Sequence, residues 1–276
     1  MNSDRANYRN QAAQRVLSVL NAFSGRMDPV SPGELGTALG MSKNMIHRAL
    51  TLLEEEGLIM RAATGGGYRL GPRVLGFLPG EDDQDDDVNA ICRPYMKMLA
   101  DLTDESVFLG IIVGRNRVVI DKIEGVGRRV AHNQKGLAVP LHVSKASRVL
   151  LAYLSDQEIE TYLHNARPLA EYADLFASSA TETLDDVWGD VRAIRAQGYI
   201  SWVSIHQYGG AYIAFPVLDA EDRPHAVISV GGPRERFTQD IIAQMLPQMN
   251  AIMAELCTRS RLLPAALPML PEKKAA

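Results

Sequence analysis

Residues 31–69 constrain the fold of this chain more than any other stretch, because they combine two capped helices with a glycine-rich hairpin. Ser31 stands three residues before Glu34, which is the spacing of a capping box at the start of a helix. Gly40 and Gly57 stand at the expected helix ends, where a residue free to turn left-handed is favoured. The pattern therefore predicts a short helix, a tight turn and a second helix that begins after Ser42.

The second helix, expected to extend to about residue 56, has two opposed faces. Apolar residues recur from Ile46 to Leu53 with the spacing i, i+3, i+4, i+7, which is typical of a buried stripe. Polar residues, none of them acidic, follow the same spacing two positions earlier, so they lie on the opposite face of the helix. A surface that recognises base edges needs such hydrogen-bonding groups. The candidate DNA-contacting residues of this helix and the following hairpin are Ser42, Lys43, Asn44, His47, Arg48, Thr51, Arg61 and Arg69.

Residues 58–61 and 68–70 are expected strands on either side of a Thr-Gly-Gly-Gly turn. Such a turn suits a β-hairpin wing. Capped helix pairs with a solvated polar face also occur in many all-α domains. The adjoining hairpin, with Arg61 and Arg69, favours a winged helix-turn-helix that inserts its second helix into the major groove of DNA.

The distribution of charge supports a DNA-binding module at the N-terminus. Residues 1–77 hold nine Lys and Arg against six Asp and Glu, a balance of +3, whereas the rest of the chain has a balance of −7. The attraction to phosphate depends on this local excess of positive charge and not on the negative net charge of the whole chain. Because the excess is small, more than one copy is expected to bind together, on a palindromic operator.

An acidic stretch predicts the domain boundary, since six of the seven residues 81–87 are Asp or Glu. Such a run repels itself and cannot form a core. The expected organisation is a DNA-binding domain at 1–77, a linker at 78–88, a second domain at 89–263 and a disordered tail at 264–276. The chain lacks an apolar stretch long enough to cross a membrane and its first residues are too polar for a signal peptide. With single cysteines at Cys92 and Cys257, it is expected to be cytoplasmic.

The second domain mixes helical and strand patterns, which predicts an α+β fold. Helices are expected at 89–102, 144–154, 157–163, 185–197 and from Thr238 to about residue 263, with an early interruption at Pro94. Strands are expected at 106–113, 117–124, 199–203, 211–218 and 225–230.

The chain resembles the IclR-type transcriptional regulators over residues 10–262. The matching segments are MSKNMIHRALTLLEEEGLIMR, GYRLGPRVLGF, VPLHVSKASRVLLAYL, RAQGYISW, GGAYIAFPVLDAEDRP and AVISVGGPRERFT. The resemblance implies a winged helix-turn-helix followed by a GAF-like effector-binding domain. It also implies a homodimer or homotetramer with paired DNA-binding domains. A repressor of a catabolic operon, controlled by a small metabolite, is the expected function.

The family's effector site carries over to Lys145, Ala146, Trp202, Tyr212, Ser229 and Gly231. Trp202 stands where relatives often carry an acidic residue, and Tyr212 where a cysteine is frequent. These exchanges replace hydrogen bonds with aromatic surface, so the resemblance implies an aromatic or similarly bulky acid as effector. Alternatively, the two aromatic residues fill an unused pocket. Lys145 is expected either to pair with an acidic effector or to point to solvent.

Two other function classes remain as alternatives. An enzyme using His142 and Lys145 would need an oriented base and a nucleophile, but the sequence has no nucleophile-elbow or HExxH pattern, so no cofactor or metal is expected. A second domain that serves only for oligomerisation would give no ligand-dependent change in DNA affinity.

Overall fold

The computed structural model describes residues 2–24, 26, 28–62, 66–77, 88–126, 135–173, 181–204 and 210–261. The chain divides into two compact units, residues 1–83 and 84–276. The expected tip of the wing at residues 63–65, nearly all of the expected linker and the expected tail lie outside the described residues. Val88, which sequence analysis assigned to the linker, is a buried helical residue.

The first unit contains three α-helices and a two-stranded antiparallel sheet among its described residues. The elements are α1 (Asn2–Asn21), α2 (Pro32–Leu39), α3 (Lys43–Glu55), β1 (Ile59–Arg61), β2 (Tyr68–Leu70) and a short 3-10 helix (Pro72–Phe77). The sequence analysis predicted α2, α3 and both strands but did not anticipate α1. The order of these elements confirms the predicted winged helix-turn-helix.

Local capping explains where α2 begins and ends. The Ser31 hydroxyl accepts a hydrogen bond from the Glu34 backbone N–H at 3.2 Å, and the Glu34 carboxylate accepts one from the Ser31 N–H at 2.7 Å. Gly40 ends the helix with a left-handed φ of 60°. The predicted capping box and glycine C-cap are both confirmed.

The second unit is built around a six-stranded antiparallel sheet with strand order β5-β4-β3-β8-β7-β6. Its helices are α4 (Val88–Thr103), α5 (Lys145–Ala152), α6 (Asp156–His164), α7 (Leu184–Gln197) and α8 (Gln239–Ser260), with a 3-10 helix (Leu169–Tyr172). Its strands are β3 (Ser106–Val113), β4 (Asn116–Ile123), β5 (Ala138–Pro140), β6 (Ile200–Val203), β7 (Gly210–Leu218) and β8 (Pro224–Pro233). The predicted α+β class is confirmed. The predicted interruption at Pro94 is wrong, because α4 runs through it.

Helices cover both faces of this sheet. Helices α4 and α8 pack on one face around a core that includes Val107, Leu109 and Ile213. Helices α5, α6 and α7 pack on the other face, with Ala214 and Val227 contributing to their core. Phe108 stands between Val107 and Leu109 in the sequence. Because side chains alternate along a strand, it lies on the opposite face from these two residues, which is the α5 face.

A bulge in β4 reverses which residues face α5. Leu109 pairs with Asp121, whereas its neighbour Gly110 pairs with Val119, so Ile120 is an extra residue in the ladder. An inserted residue flips every side chain that follows it to the opposite face. Asp121 therefore lies on the α4 face, where it pairs with Arg93 of α4.

Candidate functional site

The outer face of α3 carries the candidate DNA-reading residues. The side chains of Lys43, Asn44, His47, Arg48 and Thr51 are all exposed, as the sequence pattern predicts. The opposite side, from Ile46 to Leu53, is buried against the core of the first unit. The surface thus offers cationic and hydrogen-bonding groups on a rigid helix, which is what base-edge recognition requires.

Ser42 occupies the N-cap position of α3 but does not cap it with its side chain. Its backbone is extended, as at an N-cap, yet its hydroxyl makes no capping hydrogen bond. The sequence expectation that Ser42 caps this helix is wrong in that respect. The exposed hydroxyl stays at the helix N-terminus, where side chains and backbone N–H groups commonly contact phosphate.

The two arginines of the wing lie on opposite faces of its hairpin. Arg61 pairs across the strands with Tyr68, so Arg69 points the other way. The Arg61 guanidinium lies 5.4 Å from the Tyr68 ring centroid, and its Nε is 3.2 Å from a carboxylate oxygen of Glu54. Arg69 is exposed and pairs with Met60. The two arginines therefore do not form a single cationic surface.

Three of the candidate effector residues form a row across the α5 face of the second unit. Trp202 and Tyr212 are register partners on β6 and β7, and their rings stack at 5.1 Å with an interplanar angle of 15°. Tyr212 in turn pairs with Gly231 on β8. A Cβ atom on Gly231 would lie 2.3 Å from the Tyr212 ring, so the ring occupies the space above this glycine. Burial raises the pKa of Tyr212 to about 12.

Ser229 lies in the next row of the same sheet face. It pairs with Ala214 on one side and Phe108 on the other. Its hydroxyl oxygen is buried and has no hydrogen-bond partner among the described residues. A buried hydroxyl without a partner is destabilising, so this group is a candidate contact for a bound molecule.

Lys145 and Ala146 form the first turn of α5, where the Ser144 hydroxyl accepts a hydrogen bond from the Ser147 N–H. Ala146 is buried in the core that contains Ala214. The Lys145 ammonium lies 2.8 Å and 3.0 Å from the two carboxylate oxygens of Asp190 on α7. The expectation that Lys145 points to solvent is wrong, because its side chain is only 26% exposed and its ammonium pairs with a carboxylate of α7.

The alternative catalytic site around His142 does not form. One imidazole nitrogen lies 3.0 Å from the Tyr162 hydroxyl and the other lies 3.0 Å from the Arg167 carbonyl oxygen. Burial also lowers the pKa of His142. The ring is thus held on both sides, while Lys145 is directed to Asp190.

Two side chains on the α5 face were missed by the sequence analysis. Phe108 is fully buried, and the Lys122 ammonium lies 5.3 Å from its ring centroid. Lys122 and Phe108 are register partners, so the row continues from Ser229 to Lys122. The sequence carries no signal for this placement, because the bulge at Ile120 determines which face Lys122 occupies.

Two family models match the chain in succession, and together they define a two-domain DNA-binding transcriptional regulator. The IclR helix-turn-helix domain matches residues 12–62, and the bacterial transcriptional regulator IclR C-terminal domain matches residues 84–258. The chain belongs to the IclR family of bacterial transcriptional regulators, which are not enzymes. None of the helices in the described part of the chain is long and apolar enough to cross a membrane.

Named relatives and solved structures agree with this family. The chain is 29% identical over 233 residues to the transcriptional regulator KipR of Bacillus subtilis, covering 84% of this chain and 90% of the relative. It is 24% identical over 237 residues to the transcriptional repressor IclR of Escherichia coli, covering 85% and 84%. An IclR homologue from Microbacterium hydrocarbonoxydans, solved in complex with 4-hydroxybenzoate, has the same fold with a TM-score of 0.64, 16% identity and coverage of 90% and 100%.

Proposed function

We propose that this regulator is a repressor of a catabolic operon and that a small aromatic or similarly bulky acid controls its binding to DNA. The observation that carries the proposal is the row formed by Trp202, Tyr212 and Gly231 beside the buried hydroxyl of Ser229. Flat aromatic walls favour a flat ligand, because stacked rings attract beyond their buried area. The 4-hydroxybenzoate complex of a homologue with this fold supports the same chemical class.

A small oxoacid fits these residues less well. Such a ligand needs several hydrogen bonds relative to its size, and the Tyr212 ring fills the space above Gly231, where a polar side chain could otherwise supply one. The mostly apolar row would leave its oxygen atoms without partners, which costs binding energy.

The proposed control of DNA binding is a shift between two populations. A ligand changes DNA affinity only if it binds one state more tightly than the other. The competing proposal, a second domain that only oligomerises, requires that no ligand changes DNA affinity. The unpartnered Ser229 hydroxyl favours the sensor, because a bound ligand that reaches it would supply the missing hydrogen bond.

Titration with aromatic acids is expected to change the fluorescence of Trp202 and to release the protein from DNA. The chain has two tryptophans, so a Trp188→Phe variant leaves Trp202 as the single reporter. The panel consists of benzoate, 4-hydroxybenzoate, phenylacetate, pyruvate and glyoxylate. Calorimetry on Trp202→Ala and Tyr212→Ala should show weaker binding of the aromatic acids. Tight binding of pyruvate or glyoxylate, with no response to any aromatic acid, contradicts the proposed effector.

We propose further that two DNA-binding modules, within a cytoplasmic homodimer or homotetramer, bind a palindromic operator. Each module has a balance of only +3, and affinity for DNA grows with the number of neutralised phosphates. Paired modules would read half-sites related by the two-fold symmetry of the protein. Selection of duplexes from a random pool tests this, since an enriched site without two-fold symmetry contradicts the pairing.

Replacing Arg48 with Ala is expected to weaken binding to the selected duplex by about 1–3 kcal/mol. Arg48 is exposed on the outer face of α3, where it can donate two hydrogen bonds to a guanine edge. Band-shift titration at fixed salt measures the change. Arg48→Lys is the matched control, because lysine keeps a phosphate contact but not the planar pair of hydrogen bonds. Unchanged affinity of Arg48→Ala removes this residue from the interface.

A further inference from the structure

We infer that Lys122, and not Lys145, receives the acidic group of the effector. The inference rests on the proposed control by an acid and names the cation of that same site. Lys122, Phe108 and Ser229 are consecutive register partners on β4, β3 and β8. They therefore form a second row, adjacent to the row of Trp202 and Tyr212.

The β4 bulge places Lys122 in this row. If β4 had no bulge and Ile120 paired with Leu109, the alternation along the strand would turn Asp121 to the α5 face and Lys122 to the α4 face. With the bulge, the carboxylate of Asp121 pairs with Arg93 on the opposite face of the sheet. The bulge thus exchanges an anion for a cation on the face that carries Ser229. Bulges recur beside functional sites because they redirect individual side chains in this way.

The surroundings of Lys122 suit an exchangeable ion pair. Its side chain is only 13% exposed, and its ammonium lies over the Phe108 ring at 5.3 Å. Its partner is a carboxylate oxygen of Glu124 at 2.7 Å, and the side chain of Glu124 is 53% exposed. An ion pair with so exposed a partner contributes little. A ligand carboxylate that reaches the enclosed ammonium would gain a charge-assisted hydrogen bond in a drier environment.

The spacing of the row fits an aromatic acid. Neighbouring strands lie about 4.8 Å apart, so the Cα atoms of Lys122 and Ser229 are separated by about 10 Å. Phe108 lies between them and is fully buried, so a ligand ring reaches it only when the side chains that cover it move. A ligand ring placed against Phe108 in that way would point one polar substituent toward Lys122 and another toward the Ser229 hydroxyl.

The other described cations near this face are directed elsewhere. Lys145 and Arg148 bind the carboxylates of α7 and the preceding segment. Arg117 lies farther along the sheet, paired with Ile112, and its Nε donates to the Ser147 hydroxyl at 3.2 Å. Lys122 is the cation in the row that contains Ser229.

The test compares an acid with its neutral amide in matched lysine variants. Calorimetry with 4-hydroxybenzoate and 4-hydroxybenzamide is performed on the wild type, Lys122→Met, Lys122→Arg and Lys145→Met. Loss of a charge-assisted hydrogen bond predicts that Lys122→Met weakens acid binding about ten- to a hundredfold and leaves amide binding unchanged. Lys122→Arg should retain most of the acid affinity, and Lys145→Met should show no loss that is selective for the acid over the amide. Circular dichroism and thermal melting establish that each variant is folded.

The outcomes separate this inference from the proposed effector class. Equal weakening of acid and amide in Lys122→Met assigns the residue to packing and overturns the inference, as does unchanged acid affinity. Selective loss in Lys145→Met overturns it in favour of Lys145. If the wild type binds pyruvate but no aromatic acid, the proposed class fails, and the same comparison with pyruvate and pyruvamide decides the role of Lys122. If no acid of the panel binds, both proposals fail.

Discussion

Replacing Arg148 with Met is expected to lower the free energy of unfolding of the second unit by about 3–5 kcal/mol. The guanidinium is fully buried, contacts a carboxylate oxygen of Glu182 and lies 2.5 Å from one of Asp190. Its Nε also donates to the His142 carbonyl oxygen at 2.8 Å. Loss of the guanidinium leaves two largely buried carboxylates with Lys145 as their remaining described cation, and an uncompensated buried charge is costly. Urea unfolding followed by tryptophan fluorescence measures the loss, since both tryptophans lie in this unit.

A charge-balanced version of the same cluster is the control. Adding Glu182→Gln to Arg148→Met removes the uncompensated charge at similar side-chain volume and leaves Lys145 paired with Asp190. Most of the lost stability should return, because no carboxylate of the cluster is then left without a cation. If the double variant is no more stable than Arg148→Met, the contribution of Arg148 is packing and the explanation by charge is wrong. Lys145→Met, which changes a partly exposed cation, should cost less than Arg148→Met.

Local signals in the sequence predicted most of the secondary structure. Helix α2 begins at a capping box and α7 ends at Gly198, whose φ is 80°. The faces of α3 followed from the spacing of its apolar residues. These features depend on residues within one or two helical turns of each other, so they can be read from a single sequence.

Features that depend on distant contacts could not be predicted in this way. Helix α1 packs its apolar residues on α3, but its polar sequence gives only a weak period. Strand β5 has three residues and forms only beside β4. Lys145 meets Asp190 across 45 positions of the chain. Such elements are stabilised by tertiary packing and not by local propensity.

The candidate effector site likewise combines residues that the sequence predicted with one that depends on a distant contact. The resemblance to the family supplied Trp202, Tyr212, Ser229 and Gly231, which the strand register brings into two adjacent rows. Lys122 could not be found, because its direction depends on the bulge at Ile120. A bulge is a property of two paired strands, and neither strand alone indicates where the extra residue falls.

The pair Tyr212 and Gly231 is expected to show strong coupling in a double-mutant cycle. Gly231→Ser should destabilise the second unit by about 1–3 kcal/mol, because its Cβ would lie 2.3 Å from the Tyr212 ring and the ring must move. Tyr212→Cys should cost about 3–5 kcal/mol as a large-to-small change in a packed site. The double variant should cost less than the sum, since the serine fills space that the ring has vacated. Urea unfolding of the four proteins gives the coupling energy.

Ligand binding gives this cycle a second readout, because the same two residues separate aromatic acids from small oxoacids in the proposed site. Tyr212→Cys with Gly231→Ser removes the stacking partner of Trp202 and adds a hydroxyl two residues from Ser229 on the same strand face. Under the proposed function, the double variant should lose affinity for aromatic acids and gain affinity for pyruvate, because polar partners replace aromatic surface. Additive stability changes would mean that Tyr212 and Gly231 contribute to stability independently of each other. Unchanged ligand preference would mean that Trp202 and Tyr212 are core residues and that the effector binds elsewhere.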